Sequence, residues 1–479
     1  MAQADTTDAA ELDDAPKGGF GSLGSIIGLL ALTWAAGLAA APLNDNSFFT
    51  HLATGRLILD EGRVPSNDPY TYTAAGEPWT VQSWLASVAY ASVERLAGPL
   101  GLRLLLLVVF GLAAWLLWRL TEPATSLLVR FGLVTAALLV ATGLWSERPY
   151  MVGVIGIALV WLALEGRVPW WAMLPLLWIW GNAHGSFVLA PVLVVLVLLG
   201  AALDRRSRRW ADVTDHERRV TLAVLAGTVL VAAGPLGLRA LTFPLVAAQR
   251  SDVFGEVTEW QAPQFRSPSE LAYLVFVVLA FVVLARWGRS WRLILPAAAF
   301  VGASLYAQRN IVIATVILVA VCARSAPTVG SLQAGERPRL GRPAAVIVAV
   351  LLALIAASTL LTPPSAVDDY AAAPIAWLDS TGVDGHLAND VLNGNLLEVL
   401  DGPEQAVFID DRFDVLPDDV FEDYLRLLRG GPGWQEALER RDVETVLWGR
   451  STPLASLLRE SDAWRVTFSD ARWVVAERR

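Results

Sequence analysis

The sequence predicts a polytopic α-helical membrane protein of about 11 spans, with about 11–13 possible, followed by an acidic soluble α/β unit at the C-terminus. Three observations predict it. Hydrophobic residues make up 55% of the 479 and charged residues 17%, where a soluble globular chain carries roughly 25% charged; mean hydropathy is +0.49. The missing charge is concentrated in apolar runs of about 17–24 residues, enough to cross a hydrocarbon core ~30 Å thick. Residues 363–479 then hold 23 acidic residues against 11 arginines, a net of −12, so the rest of the chain carries +3 of the total of −9.

Residues 1–19 are polar and acidic and lack the basic start of a signal peptide, so they read as a disordered cytoplasmic tail before a retained first span. The membrane domain is expected over 20–362. Its apolar runs fall at 20–43, 100–118, 126–145, 150–164, 169–182, 186–203, 220–241, 270–286, 291–307, 310–323 and 343–362. The segment 81–98 is less apolar and carries Glu94 and Arg95. It reads as a helix at the outer interface or a re-entrant element, a position that suits Trp79 and Trp84 because tryptophan prefers the headgroup region.

Arginine placement sets the orientation. One short loop holds Arg205, Arg206, Arg208, Arg209, Arg218 and Arg219, a second Arg286, Arg289 and Arg292, and a third Arg324, Arg337, Arg339 and Arg342. These loops are expected in the cytoplasm with the N-terminus. The outer loops 44–80 and 242–269, the connections near 182–185 and 308–310, and residues 363–479 then lie outside. In that last unit, β-like runs at Ala406 to Ile409, Val443 to Leu447, Trp464 to Phe468 and Trp473 to Val475 alternate with helix-like stretches near 418–429, 434–440 and 453–460. Its acidity excludes a nucleic-acid role and disfavours docking on anionic lipid.

The lone Cys322 rules out a disulfide framework within the chain. Four histidines, His51, His184, His216 and His386, have no metal-ligand spacing. Asp45 stands directly after the first span, where an ionisable group is costly and a functional candidate, though a solvated loop carboxylate is the plainer reading. Asp68 precedes Pro69 and reads as a turn former. His51 could contact a phosphate or face water. Arg148, His184 and Arg309 fall on the expected outer side and could bind a phosphate, pair locally or snorkel. Asp410, Asp411, Arg412 and Asp414 could bind a metal or a sugar, or form an ion pair at a strand end. A single lysine, Lys17, against 36 arginines points to a GC-rich, bacterial genome.

The first outer segment reads Asp45, His51-Leu52, Gly55-Arg56, Pro65 to Pro69, Pro78-Trp79 and Trp84-Leu85. Downstream come Ser-Glu-Arg-Pro-Tyr at 146–150, Gly-Asn-Ala-His-Gly-Ser-Phe at 181–187, Glu-Trp-Gln-Ala-Pro-Gln-Phe at 259–265, Gln-Arg-Asn at 308–310 and Ile-Asp-Asp-Arg-Phe-Asp at 409–414. This ordered set resembles bacterial GT-C membrane glycosyltransferases of unassigned substrate, distant relatives of protein mannosyltransferases and oligosaccharyltransferase catalytic subunits. Two departures stand out. Asn44 and Asn46 flank the acid where the family often has Asp-x-Asp, and Gln82 stands where a His or Glu is expected.

The resemblance implies a multi-pass plasma-membrane protein that transfers a hexosyl or pentosyl group on the outer face, with inversion. The donor would be a polyprenyl-phosphate-linked sugar, and the acceptor a cell-envelope glycan, lipid or protein. It implies Asp45 as base or ligand of a divalent cation, Mg or Mn. It also implies substrate binding by His51, Arg148, Asn182, His184 and Arg309, and acceptor recognition by Asp410 and Arg412. The alternative is a non-enzymatic subunit that keeps the fold for lipid binding or envelope assembly. A transporter ranks last, because the span interiors are nearly free of charge.

Overall fold

The structure, a computed structural model, describes residues 23–43, 45–206, 209, 213–249, 258–326, 342–361, 371–382, 385–404 and 406–479. The expected tail at 1–19 lies outside them, as do Arg208, Arg337 and Arg339. The chain is mostly helical (69%) with a small C-terminal sheet.

Most helices follow the apolar runs, while α2 and most of α9 lie in the stretches expected as outer loops: α1 Leu23–Ala39, α2 Asn46–Glu61, α3 Trp84–Leu120, α4 Leu127–Ala141, α5 Met151–Leu164, α6 Met173–Ala183, α7 Leu189–Arg205, α8 Asp215–Leu230, α9 Arg239–Gln249, α10 Pro268–Trp287, α11 Trp291–Tyr306, α12 Ile311–Ser325 and α13 Arg342–Leu361. Four helical stretches are long and apolar enough to cross a membrane: Trp84–Leu120, Gly185–Arg205, Pro268–Trp287 and Gln308–Ser325. Shorter apolar helices accompany them at Ile26–Ala39, Leu127–Ala141, Met151–Leu164, Trp291–Tyr306 and Ala349–Ser358.

Two expectations change. The segment 81–98 is continuous with the next run in α3, but the two halves meet at a kink where Gly98 adopts φ 59° ahead of Pro99. Only glycine takes that conformation without strain, and Pro99 lacks the N–H that a continuing helix needs. The run 220–241 is not one span either. A capping box between Thr214 and Glu217 starts α8 five residues early, and Gly234, Pro235 and Gly237 break the helix before α9.

Every residue of α12 from Ile311 to Ala323 is buried. A helix apolar on all sides belongs inside, and α12 packs against α3, α4, α5, α10 and α11. The peripheral helices do the reverse and expose Val108, Leu128, Val195, Val229 and Phe281 outward. Such an apolar outer surface suits lipid rather than water.

Ion pairs gather alternate helix ends. Arg167 bonds Glu122 and Glu165, Arg324 Nε lies 2.6 Å from Glu165, His216 Nε2 lies 2.7 Å from the Ala163 carbonyl, and Arg292 pairs with Glu217. The connections carrying the expected cytoplasmic arginines therefore share one end of the bundle. The connections at 43–46, 146–150, 184 and 308–310 share the other.

The C-terminal unit comprises α14 Ala372–Thr381, β1 His386–Asn389, α15 Val391–Asp401, α16 Asp418–Arg429, α17 Trp434–Arg440, β2 Val443–Gly449, α18 Pro453–Glu460, β3 Trp464–Ser469 and β4 Trp473–Arg478. The sheet order is β1-β2-β4-β3, with β1 parallel to β2 and the other pairs antiparallel. The expected strand at 406–409 is not in the sheet. Val407 instead bridges Thr71, with Val407 N donating to Tyr70 O at 2.9 Å and Tyr72 N donating to Val407 O at 3.1 Å.

That bridge belongs to a larger union. Ala53, Ile58, Tyr70, Ala74, Trp79 and Val81 share one core with Phe408, Ile409, Leu416 and Trp448. Glycines allow close approaches on each side of it: between α2 and α3 a Cβ on Gly55 would lie 1.9 Å from the Ser87 carbonyl, and within the C-terminal unit one on Gly394 would lie 1.9 Å from the Ile409 carbonyl. The described residues of 371–479 thus share a core with the segment after α1, although their composition sets them apart.

Candidate active site at one end of the bundle

Asp45 is fixed from every side. As N-cap of α2 it accepts from Ser47 N at 3.1 Å, satisfying a helix-end donor. Ser146 Oγ donates to its other oxygen at 3.0 Å, and Arg148 Nε lies 2.6 Å from both oxygens. Its backbone N–H donates to Glu147 Oε1 at 2.8 Å, while Tyr90 OH donates to the Glu147 carbonyl at 2.6 Å. The Ser-Glu-Arg-Pro-Tyr turn between α4 and α5 is thereby locked onto the end of the first helix.

Arg148 spans two carboxylates. Its Nη1 bonds Glu259, which lies in the 3-10 turn Thr258–Trp260 before α10. Burial alone would lower the Arg148 pKa, but Asp45 and Glu259 outweigh it and raise it. The two acids are unequally enclosed: the Asp45 side chain is 12% exposed and the Glu259 side chain 40%. Trp260, next in sequence, carries the Arg309 guanidinium 4.1 Å from its ring centroid. Among the described residues Arg309 has no carboxylate partner.

His184 follows the C-terminus of α6 in extended backbone. Its Nδ1 accepts from Ser186 N at 3.2 Å and lies 2.8 Å from Ser186 Oγ, itself the acceptor of Trp180 Nε1 at 2.9 Å. With Nδ1 accepting, the neutral ring carries its proton on Nε2. Burial first, then the charges of Arg309, His51 and Arg148, lower its pKa to about 3. His51 is treated likewise: burial and the Arg148 charge lower it to about 4, and its Nδ1 lies 3.3 Å from Ser87 Oγ. Both rings are neutral donors at ordinary pH.

Asp45, His51, Arg148, His184 and Arg309 are thus brought to one place. Asn182 is near but spent. It is fully buried, its Oδ1 accepts from Trp84 Nε1 at 2.8 Å, and its Nδ2 donates to the Trp178 carbonyl at 2.9 Å. It ties α6 to α3 rather than offering a contact to substrate. Gln82 is a second tie, donating to the Gly181 carbonyl at 2.6 Å.

The expectation for Asp410 and Arg412 is corrected. Both are buried, in an ion cluster that joins the C-terminal unit to the segment 44–80. Arg412 bonds Asp410 and lies 2.7 Å from Asp68 and 3.8 Å from Glu398, with its guanidinium 4.9 Å from the Tyr70 ring and 4.4 Å from the Trp79 ring. Burial and the neighbouring Asp410 raise the Glu398 pKa well above the carboxylate range. Favouring the neutral form of Glu398 reduces the excess of acid over the single guanidinium in this buried cluster. Asp68 is both turn former and ion-pair partner, accepting from Tyr70 N at 3.0 Å and Thr71 N at 3.2 Å.

It is Asp411, next door, that reaches the site, bonded to Ser47 Oγ and with its N–H donating to Asn395 Oδ1 at 3.0 Å. Burial pushes its carboxyl up to about 6. Sequence reasoning gave no role to Ser47, Ser146, Glu259 and Trp260. Three of them sit in motifs already singled out, at 146–150 and 259–265.

Both Asp45 oxygens face a guanidinium and hydrogen-bond donors, and among the described residues no three acids, histidines or cysteines converge to hold a metal. A cavity of about 540 Å³ lies at the other end of α2 from Asp45, lined by Ile58, Arg63, Trp79, Trp84, Leu236 and Arg239 among others, and none of the residues gathered around Asp45 lines it. No protein-family model matches this chain, and no curated protein matches it.

Proposed function

We propose that the chain is a multi-pass plasma-membrane glycosyltransferase that moves a sugar from a polyprenyl phosphate to a cell-envelope acceptor on the outer face. The observation that carries this reading is Arg309. A guanidinium stacked on Trp260 that has no ion-pair partner among the described residues stands beside the neutral Nε2–H of His184 and the paired Arg148 at one end of the helix bundle. A departing lipid phosphate develops charge there and is stabilised by such fixed donors. The apolar helices would keep the lipid tail in the bilayer, and helix alternation with the Arg-rich ends inside would put the site and the C-terminal unit outside.

The saturated hydrogen bonding of Asp45 favours a second reading, a lipid-binding envelope subunit without transfer activity. Binding of undecaprenyl phosphate to the purified full-length protein in detergent tests what the two readings share. Arg309→Gln is expected to weaken binding about 10–100-fold, the loss of one or two charge-assisted hydrogen bonds. Equal affinity in the variant, or no binding by the wild type, would remove both readings. Release of undecaprenyl phosphate from sugar-loaded lipid separates them.

A further inference from the structure

We propose that Glu259, rather than Asp45, accepts the proton of the attacking hydroxyl; this rests on the transferase reading above. A proton acceptor needs a lone pair that faces the space where the substrate arrives. Asp45 has none to offer: Arg148 takes both oxygens, Ser47 N takes one again and Ser146 Oγ the other. Its geometry is that of an anchor, which fixes Arg148 and caps α2.

Glu259 is placed differently. One oxygen bonds Arg148 Nη1, and among the described residues no partner takes the other. Its side chain is the more open of the two at 40%. It stands between the two guanidiniums that would hold the phosphate, bonded to Arg148 and next in sequence to the Trp260 ring under Arg309. A sugar whose phosphate lies on Arg309, His184 and Arg148 has its anomeric carbon within reach of a hydroxyl held by Glu259.

The step balances as follows. The acceptor O–H bond breaks and its proton passes to the free Glu259 oxygen. The O–C1 bond forms as the C1–O bond to phosphate breaks, and the electron pair leaves with the polyprenyl phosphate, whose charge falls on Arg309, Arg148 and the His184 Nε2–H. Asp411 is the other acid of this neighbourhood, but it is buried, bonded to Ser47 Oγ and set beside the charges of Asp410 and Asp45.

The experiment uses the full-length protein in detergent with undecaprenyl-phosphate-linked arabinose, mannose, glucose and galactose and a membrane extract as acceptor source. Free undecaprenyl phosphate is measured by mass spectrometry, and its affinity separately. Glu259→Gln is expected to slow release about 10²–10⁴-fold with affinity changed less than about threefold. Glu259→Asp keeps part of the rate, and added formate restores part of the rate to Glu259→Ala. Wild-type release in Glu259→Gln overturns the proposal. So does a loss of affinity as large as the loss of rate, or no rescue by formate, since each marks an anchor for Arg148. A wild type that binds the lipid but releases none from any donor overturns the transferase reading itself.

Discussion

At the residue scale, the charges divide into those consumed by the protein and those left for a ligand. Asp68, Asp410, Arg412 and Glu398 are consumed, because their mutual bonds are buried and join two distant parts of the chain. Asp68→Asn removes one of the carboxylates that hold Arg412 away from water. Breaking a buried pair costs about 3–5 kcal/mol, so the melting temperature of the purified variant is expected to fall by several degrees. An unchanged melting temperature would show that Asp410 alone satisfies Arg412. The sequence marks Asp68 only as a turn residue before Pro69, because its partner lies more than three hundred positions away. Arg148, His184 and Arg309 were legible as a set, since the arginine bias of the opposite loops assigns them one side. Glu259 was not, for the same reason that makes it interesting: it is one acid in a polar loop, and nothing local shows that its neighbour Trp260 carries Arg309.

At the element scale, hydrophobic runs and helix signals located most helices within a few residues. Capping boxes at Thr214 and Ser267, and the kink at Gly98–Pro99, account for the ends that the runs misplace. The sheet was less legible. β1 is four residues, His386–Asn389, without a β-branched residue, whereas the more strand-like Ala406 to Ile409 pairs with Thr71 outside the sheet. The same pairing alters the status of the C-terminal unit. Leu396 and Leu397 are buried in one core with Phe48, Phe49 and Leu52 of α2. Residues 363–479 expressed alone are therefore expected to bind a hydrophobic dye and melt broadly, although the acidic composition suggests an independent domain. A sharp, cooperative melt without dye binding would show that the unit folds by itself.

At the scale of the whole molecule, α12 is the buried axis, the outer helices present apolar side chains, and one end of the bundle is closed by a unit that shares its core with the segment after α1. The site is built where these parts meet: Asp45 and His51 from the first segment, Arg148 and His184 from helix connections, Glu259 and Arg309 from the later half, and Asp411 from the C-terminal unit. No stretch of sequence contains it, which is why composition and spacing reveal the bundle more readily than the chemistry. The most direct measurement is a cryo-electron microscopy structure of the full-length protein with undecaprenyl phosphate. The account predicts density for the phosphate within hydrogen-bonding distance of Arg309 and His184 Nε2, with the prenyl chain running between outer helices. A phosphate seated at the Arg-rich opposite end, or no ordered lipid at saturating concentration, would contradict it.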